Sequence, residues 1–377
     1  MRSDPLAYAM FFKSIRGRHR DGYSLKPAKE LVLKKSTVTE KTFSVVVGLL
    51  ALGAIKVLTH KPKFGFADKV VVISGGSRGL GLLLGRELAK EGAKLVLLAR
   101  HQDELDRAEL ELTELGAEVL AIACDVTNEK QVKKAVEEAA TFFGTIDALI
   151  NNAGIIQVGP MESMTNDDYK TAIDTHFWGP MYLTEAVLPF LRKNQGGRIV
   201  NIASVAANVS VPHLLPYCVS KYALRGFSEG ITSELRKENI YVTTVCPGLM
   251  RTGSHVNALF KGQNKKEYAL FSISNALPFF STTGESAARQ IIDASRRGDS
   301  ELIITLQAQI LSKLNGVLPG FTNDMLHAVT KLLPGPDGEG SGKKNATGFE
   351  SQSEISPSVV TAPADSQVFK NNEAART

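Results

Sequence analysis

The chain predicts an α/β fold of the doubly wound kind, a single domain with a parallel sheet of about seven strands and helices on both faces. Three observations carry that expectation. Short β-branched apolar runs alternate with longer helical stretches between residues 66 and 305, as buried parallel strands alternate with crossover helices. The first run passes directly into a glycine-rich turn, Ser74-Gly75-Gly76-Ser77-Arg78-Gly79-Leu80-Gly81. Residues able to do chemistry fall just after the apolar runs, and open α/β sheets bind ligands outside the carboxyl ends of their strands.

A chain of 377 residues with 43% hydrophobic and 22% charged residues can bury a large core and has an ordinary soluble composition. Its net charge of +5 is unevenly spread: residues 1–63 hold thirteen Lys/Arg and four Asp/Glu, residues 335–377 four and six. The core is therefore nearly neutral, which argues against a nucleic-acid partner. Three widely spaced cysteines, Cys124, Cys218 and Cys246, read as reduced thiols with no metal spacing.

Residues 1–65 form a basic leader around the apolar run 42–58, TFSVVVGLLALGAIKVL, with Lys56 its one charge. At 17 residues it sits at the short limit of a spanning helix. A membrane anchor, an interfacial helix and a helix packed on the domain all fit it. Lysines on both sides leave orientation open. The expected location is a membrane with the catalytic domain in the cytoplasm, or alternatively a soluble cytoplasmic protein.

Residues 69–73 read as a buried strand. Gly75, Gly79 and Gly81 let the chain turn tightly into a helix whose N-terminal N–H groups approach a pyrophosphate. The spacing, G-x-x-x-G-x-G, differs from the general G-x-G-x-x-G fingerprint. A plain glycine-rich loop is the alternative, and the strand–turn–helix context speaks against it. The second strand, 94–99, ends in Arg100. A carboxylate here would hold a ribose 2′-hydroxyl, whereas arginine suits a 2′-phosphate. Arg78 reaches the same region, so the pair points to NADP(H). An Arg100 that merely meets solvent is the alternative.

A helix over 102–115 and a strand over 118–124 lead to Asp125-Val126-Thr127, where Asp125 alone reads equally as a helix cap. A helix over 129–143 and a strand over 147–150 run into Asn151-Asn152-Ala153-Gly154. One long helix is expected over 167–193. A strand over 198–203 delivers Ser204. Thirteen residues on, Tyr217-Cys218-Val219-Ser220-Lys221 places a tyrosine and a lysine on one helix face. An ammonium beside a phenol lowers its pKa from about 10. That makes Tyr217 a proton donor and acceptor for alcohol–carbonyl interconversion. A strand over 241–246, a helix over 284–297 and a strand over 301–305 close the sheet. One or two apolar helices follow over 311–333.

In order and spacing, these motifs resemble the classical short-chain dehydrogenase/reductase family over residues 66–334. The resemblance implies a Rossmann-type fold and an NADP(H)-dependent oxidoreductase. Ser204 would bond the carbonyl oxygen, Tyr217 protonate it, and Lys221 hold the nicotinamide ribose. Gly75, Ser77, Arg78, Gly79, Leu80, Gly81 and Arg100 would take the phosphates. Asp125 and Val126 would line the adenine pocket, Asn152, Ala153 and Gly154 the ribose, and Pro247, Gly248 and Thr252 the nicotinamide. The family usually has Asn where this chain has His176; an imidazole can also bridge a water chain to Lys221, and a packed histidine without that role is the alternative.

Residues 253–282 would form the substrate lid. Their apolar clusters fit a lipophilic carbonyl or alcohol substrate, and equally the lid's own packing. The resemblance also implies a homodimer or homotetramer through the helices near 167–193 and 213–237. Residues 335–377, polar and Gly/Ser-rich, are expected to be disordered. A non-catalytic NADP(H)-binding sensor on the same fold is the competing function.

Overall fold

The computed structural model describes residues 63–278, 281–336 and 341–375. The apolar run 42–58 lies outside them. Among the described residues no helix is long and apolar enough to cross a membrane.

Seven parallel strands form the sheet: β1 (Val70–Ser74), β2 (Lys94–Ala99), β3 (Val119–Ala123), β4 (Ala148–Asn151), β5 (Gly197–Ile202), β6 (Ile240–Pro247) and β7 (Glu301–Ile304). Their spatial order is β3-β2-β1-β4-β5-β6-β7. The chain winds outward from β1 in one direction, then from β4 in the other. The reversal leaves a crevice at the carboxyl ends of β1 and β4, the switch point where such sheets bind ligands. Register brings Val72 of β1 beside Val96 of β2 and Leu149 of β4.

The central strands are mostly apolar because both faces are covered. Val71, Ile73, Leu95 and Leu97 pack on one side with α1 (Gly79–Lys90) and α8 (Gly284–Arg297). Val70, Val72, Val96 and Leu98 pack on the other with α3 (Glu129–Phe143) and α5 (Gly179–Lys193). Adjacent β1 residues thus point into opposite cores, the period-2 geometry of a strand.

Between α1 and α3 runs α2 (Gln102–Glu114). The long helix expected over 167–193 is divided. A first segment, α4 (Asn166–Ile173), passes through a π-helical turn at Asp174–Trp178 into α5. Such turns widen the helix by one residue and occur often at functional sites. Further on come α6 (Leu215–Leu235) and α7 (Asn264–Ala276). The apolar region after β7 forms two helices, α9 (Leu306–Val317) and α10 (Pro319–Thr330), with Pro319 opening the second.

The tail departs from expectation. Far from being disordered, residues 341–375 pack along the domain. Ala346–Thr347 pairs antiparallel with Leu259–Phe260, and Ser351, Ser356, Thr361 and Asn371 are wholly buried. Composition argued for disorder because the tail has little apolar surface to bury. It is ordered instead by polar bonds to the core, among them Ser272 Oγ to Ser356 Oγ at 2.7 Å and His255 Nε2 to Asp365 Oδ1 at 2.8 Å.

Candidate active site

The crevice opens into a cavity of about 820 Å³, within the usual range for small-molecule sites. At one end stands the glycine turn. Gly75 takes a left-handed φ of 64°. A Cβ on Gly81 would lie 1.9 Å from Gly75 O. Only glycine lets α1 begin this close to the end of β1. The N-cap residue Arg78 makes no side-chain cap bond, which leaves the N-terminal amides of α1 to acceptors from outside the helix; Gly79 N meets Asn371 O at 2.9 Å.

Asn152 locks the turn to β4: its Nδ2 donates to Ser74 O at 3.1 Å and to Gly75 O at 3.0 Å. Ser74 Oγ accepts from the amides of Asn152 and Ala153. Asn151, buried in the sheet, donates to Asn201 Oδ1 at 2.8 Å. Asp125 Oδ1 accepts from Thr127 N and Thr127 Oγ1, so it shapes the chain after β3 while Asn128 caps α3. Of the residues expected at the cofactor, from Gly75 to Thr252, all but Gly81 line this cavity.

Ser204, Tyr217 and Lys221 line the same cavity. Ser204 follows β5, and its Oγ accepts from Ala206 N at 3.1 Å. Tyr217 is half-buried and lines the cavity. Desolvation by the surrounding protein pushes its pKa up to about 12, with a hydrogen bond from Ser204 acting the other way. Lys221 Nζ sits 5.6 Å from the Tyr217 ring centroid and donates to Ile202 O at 2.8 Å. Burial pulls its pKa down to about 7. The expected acidification of Tyr217 by Lys221 is not seen: desolvation penalises the charged form of each group, raising the phenol and lowering the ammonium.

His176 is also corrected. It is wholly buried, and both ring nitrogens are committed. Nε2 accepts from Ile155 N at 3.1 Å. Ser220 Oγ spends its one proton on Tyr217 O at 2.8 Å, so it must accept from His176 Nδ1–H at 2.7 Å. This fixes a neutral imidazole, and burial, with Lys221 second, holds its pKa well below 6.5. No nitrogen is left for a water relay to Lys221. His176 instead braces the helix turn that carries Tyr217, its ring edge-on to the tyrosine at 5.4 Å.

Several lining residues escaped the sequence reading. His213 and Glu267 meet at 2.7 Å on the cavity wall. His213 holds a left-handed φ of 62°, a strained backbone of the sort found at functional sites. No local motif marks a pair 54 residues apart. Arg251, next to Thr252, donates to Ser281 O and Oγ. Glu373, from the tail, lies in the cavity beside the glycine turn and is 5% exposed. Burial lifts its carboxyl to about 7, Arg78 opposing and Glu104 adding to the rise. Among the described residues no cluster could hold a metal ion.

A family model described as short chain dehydrogenase matches residues 69–261. The chain is 30% identical to the uncharacterized oxidoreductase YxnA of Bacillus subtilis over 70% of its own length and 72% of the relative's. It is 40% identical to the 11-beta-hydroxysteroid dehydrogenase-like 3 protein of Arabidopsis thaliana, over 49% and 60%. Among solved structures, L-sorbose reductase from Gluconobacter frateurii, complexed with NADPH and L-sorbose, aligns with a TM-score of 0.58 at 29% identity, covering 64% of this chain and 97% of that one. A crevice at the sheet's reversal, a glycine turn within it, and a serine, tyrosine and lysine facing the same space are thus accounted for together: the chain belongs to the short chain dehydrogenase family, oxidoreductases that use a nicotinamide cofactor on CH–OH and C=O groups.

Proposed function

We propose that the chain catalyses reversible hydride transfer between NADP(H) and the carbonyl or secondary alcohol of a lipophilic substrate. One observation carries this reading: Ser204, Tyr217 and Lys221 share a cavity with the glycine turn. The turn suits a dinucleotide, since its glycines let a phosphate come close to the backbone amides of α1. When bound, the nicotinamide supplies or accepts the hydride. Gly75, Gly79 and Gly81 hold the diphosphate, and Arg78 and Arg100 take a 2′-phosphate. Asp125 and Val126 border the adenine. Lys221 and Asn152 to Gly154 hold ribose, and Pro247, Gly248 and Thr252 border the nicotinamide.

In reduction, Ser204 Oγ donates a hydrogen bond to the substrate oxygen and Tyr217 gives it the phenolic proton. A phenol with a pKa near 12 keeps that proton through the physiological range. Lys221, near 7, can carry a proton at Nζ or release it there. His176 is a positioning residue. Leu214, Leu270 and Phe271 give the substrate end apolar walls, and the His213–Glu267 pair adds one polar anchor. The hydroxysteroid dehydrogenase-like relative is in keeping with a lipophilic substrate. A sensor without turnover is not favoured, because the serine, tyrosine and lysine all face the cavity.

The test is loss of NADPH absorbance against a panel of lipophilic ketones. Turnover is expected with NADPH and much less with NADH. Arg100→Asp should lower the NADPH-to-NADH preference by at least about tenfold, the low end of a charge-assisted bond. An unchanged ratio would remove Arg100 from the 2′-phosphate site; NADPH binding with no turnover on any ketone would favour the sensor.

We also propose membrane attachment through residues 42–58, with the catalytic domain on the cytoplasmic side, where Cys124, Cys218 and Cys246 stay free as they are here. The full chain should fractionate with membranes and become soluble once residues 1–63 are deleted. Full-length protein that is soluble without detergent sinks the anchor.

A further inference from the structure

We propose that the C-terminal segment Asn371-Asn372-Glu373 is an autoinhibitory latch that competes with the phosphates of the nicotinamide dinucleotide for the glycine turn. The proposal rests on the reading of that turn as the cofactor site. Three consecutive residues cover three parts of it.

Asn371 takes the helix end. Its carbonyl oxygen accepts from Gly79 N at 2.9 Å, an N-terminal amide of α1 of the kind a phosphate would use. Its Nδ2 donates to Thr252 O at 2.9 Å, which ties the turn to the loop after β6. Asn372 covers the turn from above, its Nδ2 donating to Ser77 O at 2.8 Å.

Glu373 places its carboxyl group where a phosphate would sit. Its Oε1 lies so close to Gly79 that a Cβ there would come within 2.4 Å of it. Its Oε2 accepts from Asn257 Nδ2 at 2.8 Å and stands 3.6 Å from Arg78 Nη1. A carboxylate thus occupies the mouth of a helix dipole beside an arginine, the environment that favours a phosphate. A dinucleotide phosphate cannot use the Gly79 amide while Asn371 O holds it, nor approach Gly79 through the Glu373 carboxylate.

The latch is tethered. Arg86 of α1 donates to Asn371 Oδ1 at 2.8 Å and to Lys370 O at 2.7 Å, and Lys370 pairs with Glu285. Release therefore needs residues 371–373 to give up their bonds, the Arg86–Asn371 bond among them, while Lys370 and the tail before it stay docked. A tethered competitor acts at high effective concentration without a strong intrinsic affinity. The apparent cofactor affinity is then reduced by the fraction of chains in which the site is open.

The experiment compares the full chain with a chain ending at Lys370. NADPH binding is followed by fluorescence titration, and amide hydrogen exchange of residues 362–375 is measured in the full chain with and without NADPH. The latch predicts that truncation tightens NADPH binding at least about tenfold, and that NADPH speeds exchange in the full-length tail. Equal or weaker binding by the truncated chain, with tail exchange unchanged or slowed by NADPH, overturns the latch and makes the tail a fixed wall of the site. If the truncated chain fails to fold, exchange in the unaltered chain decides alone. Absence of NADPH binding by either chain overturns the cofactor reading itself, a result distinct from equal binding by both.

Discussion

Tyr217→Phe should abolish most turnover while leaving NADPH binding intact. In the proposed mechanism, removing the hydroxyl takes away the proton that reaches the substrate oxygen, and general acid–base catalysis by one side chain is worth roughly 100- to 10,000-fold. The ring itself remains, with its edge-on packing against His176 and its place on α6, so the fold and the cofactor crevice should be undisturbed. The pH profile carries the same signature. A phenol held up to about 12 is protonated at neutral pH, so reduction by the wild type should stay level from pH 6 to 9 as far as this group is concerned. Alcohol oxidation needs the deprotonated form and should climb with pH over that range. In the phenylalanine variant both the activity and the climb should vanish. Comparable turnover in the variant, measured by NADPH absorbance beside a binding titration, would refute Tyr217 as the acid.

Gly81→Ala should be the most damaging single methyl in the cofactor half. Its Cβ would be forced to 1.9 Å from Gly75 O, a backbone atom that cannot swing aside as a side chain would. The next neighbour, Asn152 Nδ2 at 2.8 Å, is itself pinned to Ser74 O and Gly75 O. Relief therefore requires the turn to open, breaking the Asn152 lock. Overpacking of this kind costs about 1–3 kcal/mol or more, and NADPH affinity should drop with it because the amides of α1 shift. Gly226→Ala is the matched control. It lies inside α6 with open space around the added methyl, and the helix gains about 1 kcal/mol in propensity. Thermal denaturation should separate the two variants in opposite directions. Equal melting temperatures would show that the turn is looser than its geometry implies.

The cofactor half was largely legible from local pattern. β1, the turn and α1 are contiguous in the chain, so alternation and glycine spacing report them directly. The same holds for the position of Ser204 after β5 and for the four-residue step from Tyr217 to Lys221 on α6, which brings both to one face whatever surrounds them. His176 was visible as a departure from the family pattern, but its role was not. That role depends on Ile155 and Ser220, 21 and 44 residues away, and on a π turn that no periodicity announces. The tail misled for a related reason. Low apolar content argues against independent folding, and it says nothing about segments that dock by hydrogen bonds onto a surface already built.

Hydrophobic alternation, glycine spacing and the order of the polar residues determined the sheet, the crevice and which side chains could meet there, since each is set by neighbours along the chain. Protonation was decided only by the assembled protein. Whether Tyr217 and Lys221 are charged depends on how much water and how much protein surround them, and that follows from the enclosure of the cavity. The placing of Glu373 against a glycine nearly three hundred residues earlier belongs to the same class. Contacts between distant segments, and the desolvation they impose, exist only once the chain has closed on itself.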